Sequence, residues 1–125
     1  MSTLIVIGCG GFLGAISRYM VSELVFIIFG TGMPYGTLMV NVVGSFLLGI
    51  VAQLALAGNL LTATASSFLG IGFLGAFTTF STFSVQTLEL LESGSPLKAL
   101  LNISLNLILC LIGAWGGLSI GRFFS

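Results

Sequence analysis

Histidine is absent from this 125-residue chain and charge is nearly so, with three acidic and three basic residues that cancel to a net charge of zero. A soluble domain is about 25% charged, so a 5% share cannot build a water-facing surface. Three scattered bases also make no basic face for a nucleic acid. Without histidine, and with neither a carboxylate pair nor a nucleophile beside a base in the apolar stretches, acid–base and covalent catalysis lack their groups, so no enzyme is expected. The two cysteines, Cys9 and Cys110, sit in separate apolar stretches without a nearby cysteine or histidine. That argues against metal ligation and against a disulfide framework, and leaves both expected as small buried apolar residues.

What the chain has instead is hydrocarbon: 57% of its residues are hydrophobic, and its mean hydropathy is +1.24. Four apolar blocks run from about Leu4 to Phe29, Gly36 to Ala57, Thr62 to Leu91 and Leu97 to Phe124. Between them stand Gly30-Thr31-Gly32-Met33-Pro34, Ala57-Gly58-Asn59 and Glu92-Ser93-Gly94-Ser95-Pro96, the punctuation that ends helices. A spanning helix takes about 20 residues, so an all-α membrane protein of four transmembrane helices in one integral membrane domain uses almost the whole length. Four spans put both termini on one side. The start Met1-Ser2-Thr3 has no basic region, and the apolar stretch after it is longer than a signal core, so the first helix is expected to be retained.

Orientation carries almost no signal. Arg18 and Lys98 lie toward one side, Arg122 and the terminal amine toward the other, so the basic-residue bias that fixes topology is missing. A chain without bias can insert either way up. Two opposed copies can then pair about an axis in the membrane plane, as the inverted repeats of transporters do within one chain.

The third block is too long for one upright span: thirty residues make roughly 45 Å of helix against a hydrocarbon core of about 30 Å. Either it tilts, or it is broken within the membrane, and Gly70, Gly72 and Gly75 favour a break. A continuous helix using the same glycines for close packing is the alternative. A break would free carbonyls able to bind a cation.

Phe73, Phe77, Phe80 and Phe83 recur at spacings of four, three and three, which keeps them on one broad helical face. Such a stripe is ordinarily packing. Beside it, however, stand the hydroxyls of Thr78, Thr79, Ser81, Thr82 and Ser84. A ring has a positive edge, so ring edges together with hydroxyls can hold a small anion loosely enough for it to leave again. Asn41, Asn102 and Asn106 add amides at membrane depth, and the last two share a face. Interhelical glue and a polar track for an ion are both open readings. Arg18, inside the first block, either snorkels to an interface or draws anions to a vestibule. The glycines after Leu4-Ile5-Val6-Ile7 do not make a dinucleotide loop, since Leu13 stands where G-x-G-x-x-G needs glycine. Gly10 and Gly14 read as a small-xxx-small contact.

With these residues in view, the chain resembles the Fluc/CrcB family of fluoride ion channels along essentially its whole length. The resemblance rests on Gly14 to Arg18, on Gly36-Thr37-Leu38-Met39-Val40-Asn41 with Gly44, and on Gly72-Phe73-Leu74-Gly75 through Thr78-Thr79-Phe80-Ser81-Thr82-Phe83-Ser84. It implies a passive channel that exports cytoplasmic fluoride across the bacterial inner membrane. It also implies an antiparallel, dual-topology homodimer with two pores, pairing with a paralogous chain being the alternative arrangement. By position, Phe80 and Phe83 match the pore phenylalanines, Asn41 the pore asparagine, and Ser81 and Thr82 hydroxyls beside the fluoride path. Gly75 and Thr78 match the family positions at the break of the third helix, whose backbone carbonyls, two from each subunit, hold a central structural sodium ion. In the fourth helix Asn102 falls where some members have tyrosine and Asn106 where some have serine. Cys110 and Ala114 fall on further track positions, and Gln86 replaces a common glutamate. Two rival classes stay open: a proton-coupled exporter, for which Glu23 is the carboxylate available in the first helix, and a bundle without transport.

Overall fold

A computed structural model describes residues 2–58 and 60–125; Met1 and Asn59, named above at the chain's start and in the second turn, lie outside the described residues. Four helical spans account for nearly all of the rest. Helix α1 covers Ser2–Phe29 and α2 Tyr35–Ala57. The third span is divided into α3, residues 63–77, and α4, Phe80–Glu92. Helix α5 covers Pro96–Phe124. Each span is long and apolar enough to cross a membrane.

The turns stop the helices by ordinary means. Gly58 closes α2 in the left-handed region, φ 76°, with its N–H on the Ala55 carbonyl. Thr62 caps α3 by accepting from the Ala65 N–H at 3.1 Å. Pro96 stands in the first turn of α5, where no N–H is needed.

Packing runs in two pairs, α2 against α5 and α1 against α3. Both seams are made of glycine. At Gly14 a Cβ would fall on the Phe73 carbonyl, and at Gly117 on the Phe46 carbonyl, so both positions hold backbones closer than any side chain permits. Where lipid is as apolar as leucine, that approach supplies the attraction between helices that water would otherwise enforce. The small core is Val40, Leu74 and Phe77, with Phe73 packed on it. Most large apolar side chains, among them Ile27, Leu111 and Trp115, point outward, as a bilayer solvent requires.

Two sequence expectations are corrected. The interruption of the third span lies not at the glycines but at Thr78, which the resemblance puts at the break, and Thr79, whose backbones are extended (φ −86°, ψ 157° and φ −152°, ψ 114°). Gly70 and Gly72 sit instead in a π-helical stretch, Ser67–Leu74, where Gly72 packs against the Ile7 carbonyl and Gly10 of α1. The span as a whole bends by only 13°. The second correction concerns the cysteines: Cys9 is exposed on the outer face of α1, and Cys110 is only half-buried because it borders an open cavity beside Ser45 of α2.

Candidate functional site

The interruption divides the phenylalanine stripe. Phe73 and Phe77 stack with centroids 5.9 Å apart and join the core. Phe80 and Phe83, 5.4 Å apart and tilted by 51°, belong to a different surface. Two extended residues reset the helical phase, so the four rings do not share one face as their spacing alone predicts.

Phe80 and Phe83 line a cavity of about 490 Å³ between the third and fourth spans and α2. Asn41 and Ser45 of α2, Thr78 and Thr79 at the interruption, and Asn106 and Cys110 of α5 supply its polar groups. Phe80 remains 78% exposed, so in a single chain this cavity is open along one side.

What holds the interruption open is Asn41. Its Nδ2 donates to the Thr79 carbonyl at 3.1 Å while its Oδ1 accepts the Thr79 N–H at 2.8 Å. A side-chain amide thus replaces the neighbouring turn of helix as the partner of the Thr79 peptide, satisfying both of its polar groups. The same Nδ2 donates to Asn106 Oδ1 at 3.1 Å. Asn106 Nδ2 in turn donates to the carbonyl and Oδ1 of Asn102, at 3.0 and 3.1 Å. Asn102, 1% exposed, donates to the Thr87 hydroxyl at 3.0 Å. Bonds of this kind between membrane helices are worth only about 0.6 kcal/mol each, whereas an unpaired amide at that depth costs several. The network's main energetic role is therefore to satisfy groups that must not be left bare. Of the two open readings, the structure displays the interhelical bonds directly, on the wall of a cavity.

The hydroxyl run also sorts itself. Thr78 donates to the Leu74 carbonyl at 3.0 Å and Ser84 to the Phe80 carbonyl at 2.9 Å, each within its own helix. Thr79 Oγ1 caps α4 by accepting from the Thr82 N–H at 3.1 Å. Ser81 and Thr82 are left as the hydroxyls of the run whose protons have no protein acceptor among the described residues.

The carbonyls of Gly75 and Thr78 are likewise relieved of their usual helical donors. The N–H groups four residues on belong to Thr79 and Thr82, and these are engaged by Asn41 and by Thr79 Oγ1. Neutral carbonyl oxygens free of helical donors fit the chemistry of a hard cation such as sodium.

A second cavity, about 540 Å³, opens where α1, α2 and α4 meet and is lined by Glu23, Thr37, Thr82, Gln86 and Glu89 among others. The buried Gln86 Oε1 has no hydrogen-bond partner among the described residues. Arg18, Ser81 and Asn102 line neither cavity.

A sequence profile described as "CrcB-like protein, Camphor Resistance (CrcB)" matches residues 5–118. The chain belongs to the CrcB family. Its sequence is 47% identical to a protein named fluoride-specific ion channel FluC from Shewanella loihica, over 94% of each chain. It is 43% identical to a protein of the same name from Geobacter sulfurreducens, over 98% of each, and 50% identical to one from Shewanella amazonensis, over 89% of each. With four spans of membrane-crossing length, this member of the CrcB family is a multi-pass membrane protein.

Ser45 and Thr87 are site residues that sequence reading did not assign, whereas Cys110, which the resemblance puts on a track position, lies on the cavity wall. Ser45 lies four residues after Asn41, on the same face of α2, which is the one signal that pointed to it.

Proposed function

We propose that this CrcB-family chain is a passive, fluoride-selective channel of the bacterial inner membrane that lets cytoplasmic fluoride escape and so confers fluoride resistance. The observation that carries the reading is near full-length similarity to proteins named fluoride-specific ion channel, joined to a cavity walled by phenylalanine rings and neutral donors. Neutral groups suit permeation, because an ion held by full charges would not leave.

In this reading two copies of opposite orientation form a homodimer in the bilayer, with two pores. The exposed Phe80 supports that arrangement, since a second copy would close the open side of the cavity. Ring edges of Phe80 and Phe83 contact fluoride, and the hydroxyls of Ser81 and Thr82 replace part of its water. Asn41, Asn102 and Asn106 supply the polar seam along the route, and Arg18 draws anions toward a vestibule. A structural sodium ion at the dimer centre would be held by the carbonyls of Gly75 and Thr78 from each copy, and its charge would tie the two interrupted spans together.

The test is fluoride and chloride efflux from liposomes holding the purified protein, followed with ion-selective electrodes after the membrane potential has been collapsed. Fluoride efflux without chloride efflux is expected. No fluoride efflux from well-folded protein would overturn the reading. Crosslinking in membranes that express this chain alone is expected to yield dimers; monomers only would overturn the homodimer and point to a paralogous partner.

A further inference from the structure

The amide network has a direction, and the direction is forced. The Phe83 carbonyl can only accept, so the Thr87 hydroxyl, 2.8 Å away, gives it a proton and must itself accept from Asn102 Nδ2. That turns Asn102 Oδ1 toward Asn106, which presents Nδ2 to it and therefore faces Asn41 with Oδ1. Asn41 in consequence offers nitrogen to Asn106 and to the Thr79 carbonyl, and oxygen to the Thr79 N–H. The assignment of every amide follows from the end that cannot donate.

The two ends of this relay bracket one turn of helix. It starts at the Phe83 carbonyl and finishes on the peptide of Thr79, and between those points stand Phe80 and Phe83. Asn106, 6% exposed, is its middle member and has its amide nitrogen committed to Asn102.

We propose that Asn106 is a positioning residue for permeation, acting on the ion only through Asn41, whose orientation it fixes so that the Thr79–Phe83 turn presents its two rings to the cavity. The assignment rests on the fluoride-channel reading. It differs from a seat for the ion on Asn106 itself, and the two make opposite predictions for a pair of substitutions.

The experiment is a double-mutant cycle in fluoride efflux from liposomes, comparing the unaltered chain, Asn41→Ala, Asn106→Leu and the double variant. Each single variant removes several hydrogen bonds of the relay, not one, and is expected to slow efflux about tenfold. Once Asn41 is gone, removing Asn106 is expected to cost no more than about a further twofold, because coupled residues do not add. Rates are taken per folded protein recovered from size exclusion, so a role for Asn106 in stability alone would leave them unchanged and overturn the assignment, as would a loss in the double variant equal to the product of the single losses. If Asn106→Leu does not fold, Asn106→Ser enters the same cycle with the same two outcomes. An unaltered chain that passes no fluoride overturns the channel reading and this assignment with it. An active chain with multiplicative losses overturns the assignment alone.

Discussion

Asn41 and Thr79, 38 residues apart, form a two-way pair in which a side-chain amide meets a main-chain peptide, donating at 3.1 Å and accepting at 2.8 Å. The pair lets a membrane-embedded helix stop for two residues without leaving either polar group of the Thr79 peptide bare. It also determines where the ring pair of α4 begins. Substituting Asn41 with Leu keeps the volume and removes every polar atom, leaving both Thr79 groups without that partner at about 1–3 kcal/mol each. The expected result is a lower melting temperature in detergent, read from the fluorescence of the single tryptophan, Trp115, together with slower fluoride efflux. An unchanged melt would show that the interruption stands without Asn41.

The two rings differ in exposure but are expected to matter alike. Phe80→Ile and Phe83→Ile keep bulk and apolarity and remove the positive ring edge. Fluoride efflux should fall at least about tenfold in each, the effect of losing roughly 1.4 kcal/mol of ion stabilisation. Elution on size exclusion should stay as it is. Efflux that survives both substitutions would remove the rings from the route.

Cys110 provides an independent probe of the cavity, because its thiol lies on the wall with Asn106 and Ser45. Treating the Cys9→Ala variant with a membrane-permeant methanethiosulfonate should slow fluoride efflux, and Cys110→Ala should abolish the effect. Cys9 has to be removed first because it is exposed on the outer face of α1. Full modification, confirmed by mass spectrometry, without any change in efflux would place the cavity off the permeation path.

The glycine seams predict failures of assembly, not of permeation. Gly14→Val puts three carbons where the Phe73 carbonyl already lies, and forced overpacking costs about 1–3 kcal/mol or more. The variant should give little folded protein. Gly8→Ala, where nothing lies within 4 Å of a Cβ, should match the unaltered chain in yield and melting. Equal yields of the two variants would contradict the tight contact between α1 and α3.

The four spans were legible because hydropathy and helix-ending residues are local signals, and lipid leaves the backbone few options other than a helix. Residue by residue, the interruption was assigned to glycines, because glycine loosens a helix in isolation, and only the family resemblance put Thr78 at the break. The partner that satisfies it, Asn41, is supplied by another helix, and nothing in the local sequence around Thr78 and Thr79 announces that pairing. The division of the phenylalanine stripe follows from the same blind spot: spacing defines a face only while the helix continues. Asn102 and Asn106 were recognisable as polar and as sharing a face, but their partners, Thr87 and Asn41, lie 15 and 65 residues away. Pairing at that distance is a product of folding, which periodicity does not encode.

That separation bears on biogenesis. The second span enters the bilayer long before the fourth has been synthesised, so the Asn41 amide spends that interval in lipid without Asn106. Amides in this position seek other partners, and non-native pairings at this stage are a hazard of chains whose key contacts close late. The polar seam is thus completed only when the last helix docks, making the ring pair among the final features of the protein to reach its native geometry.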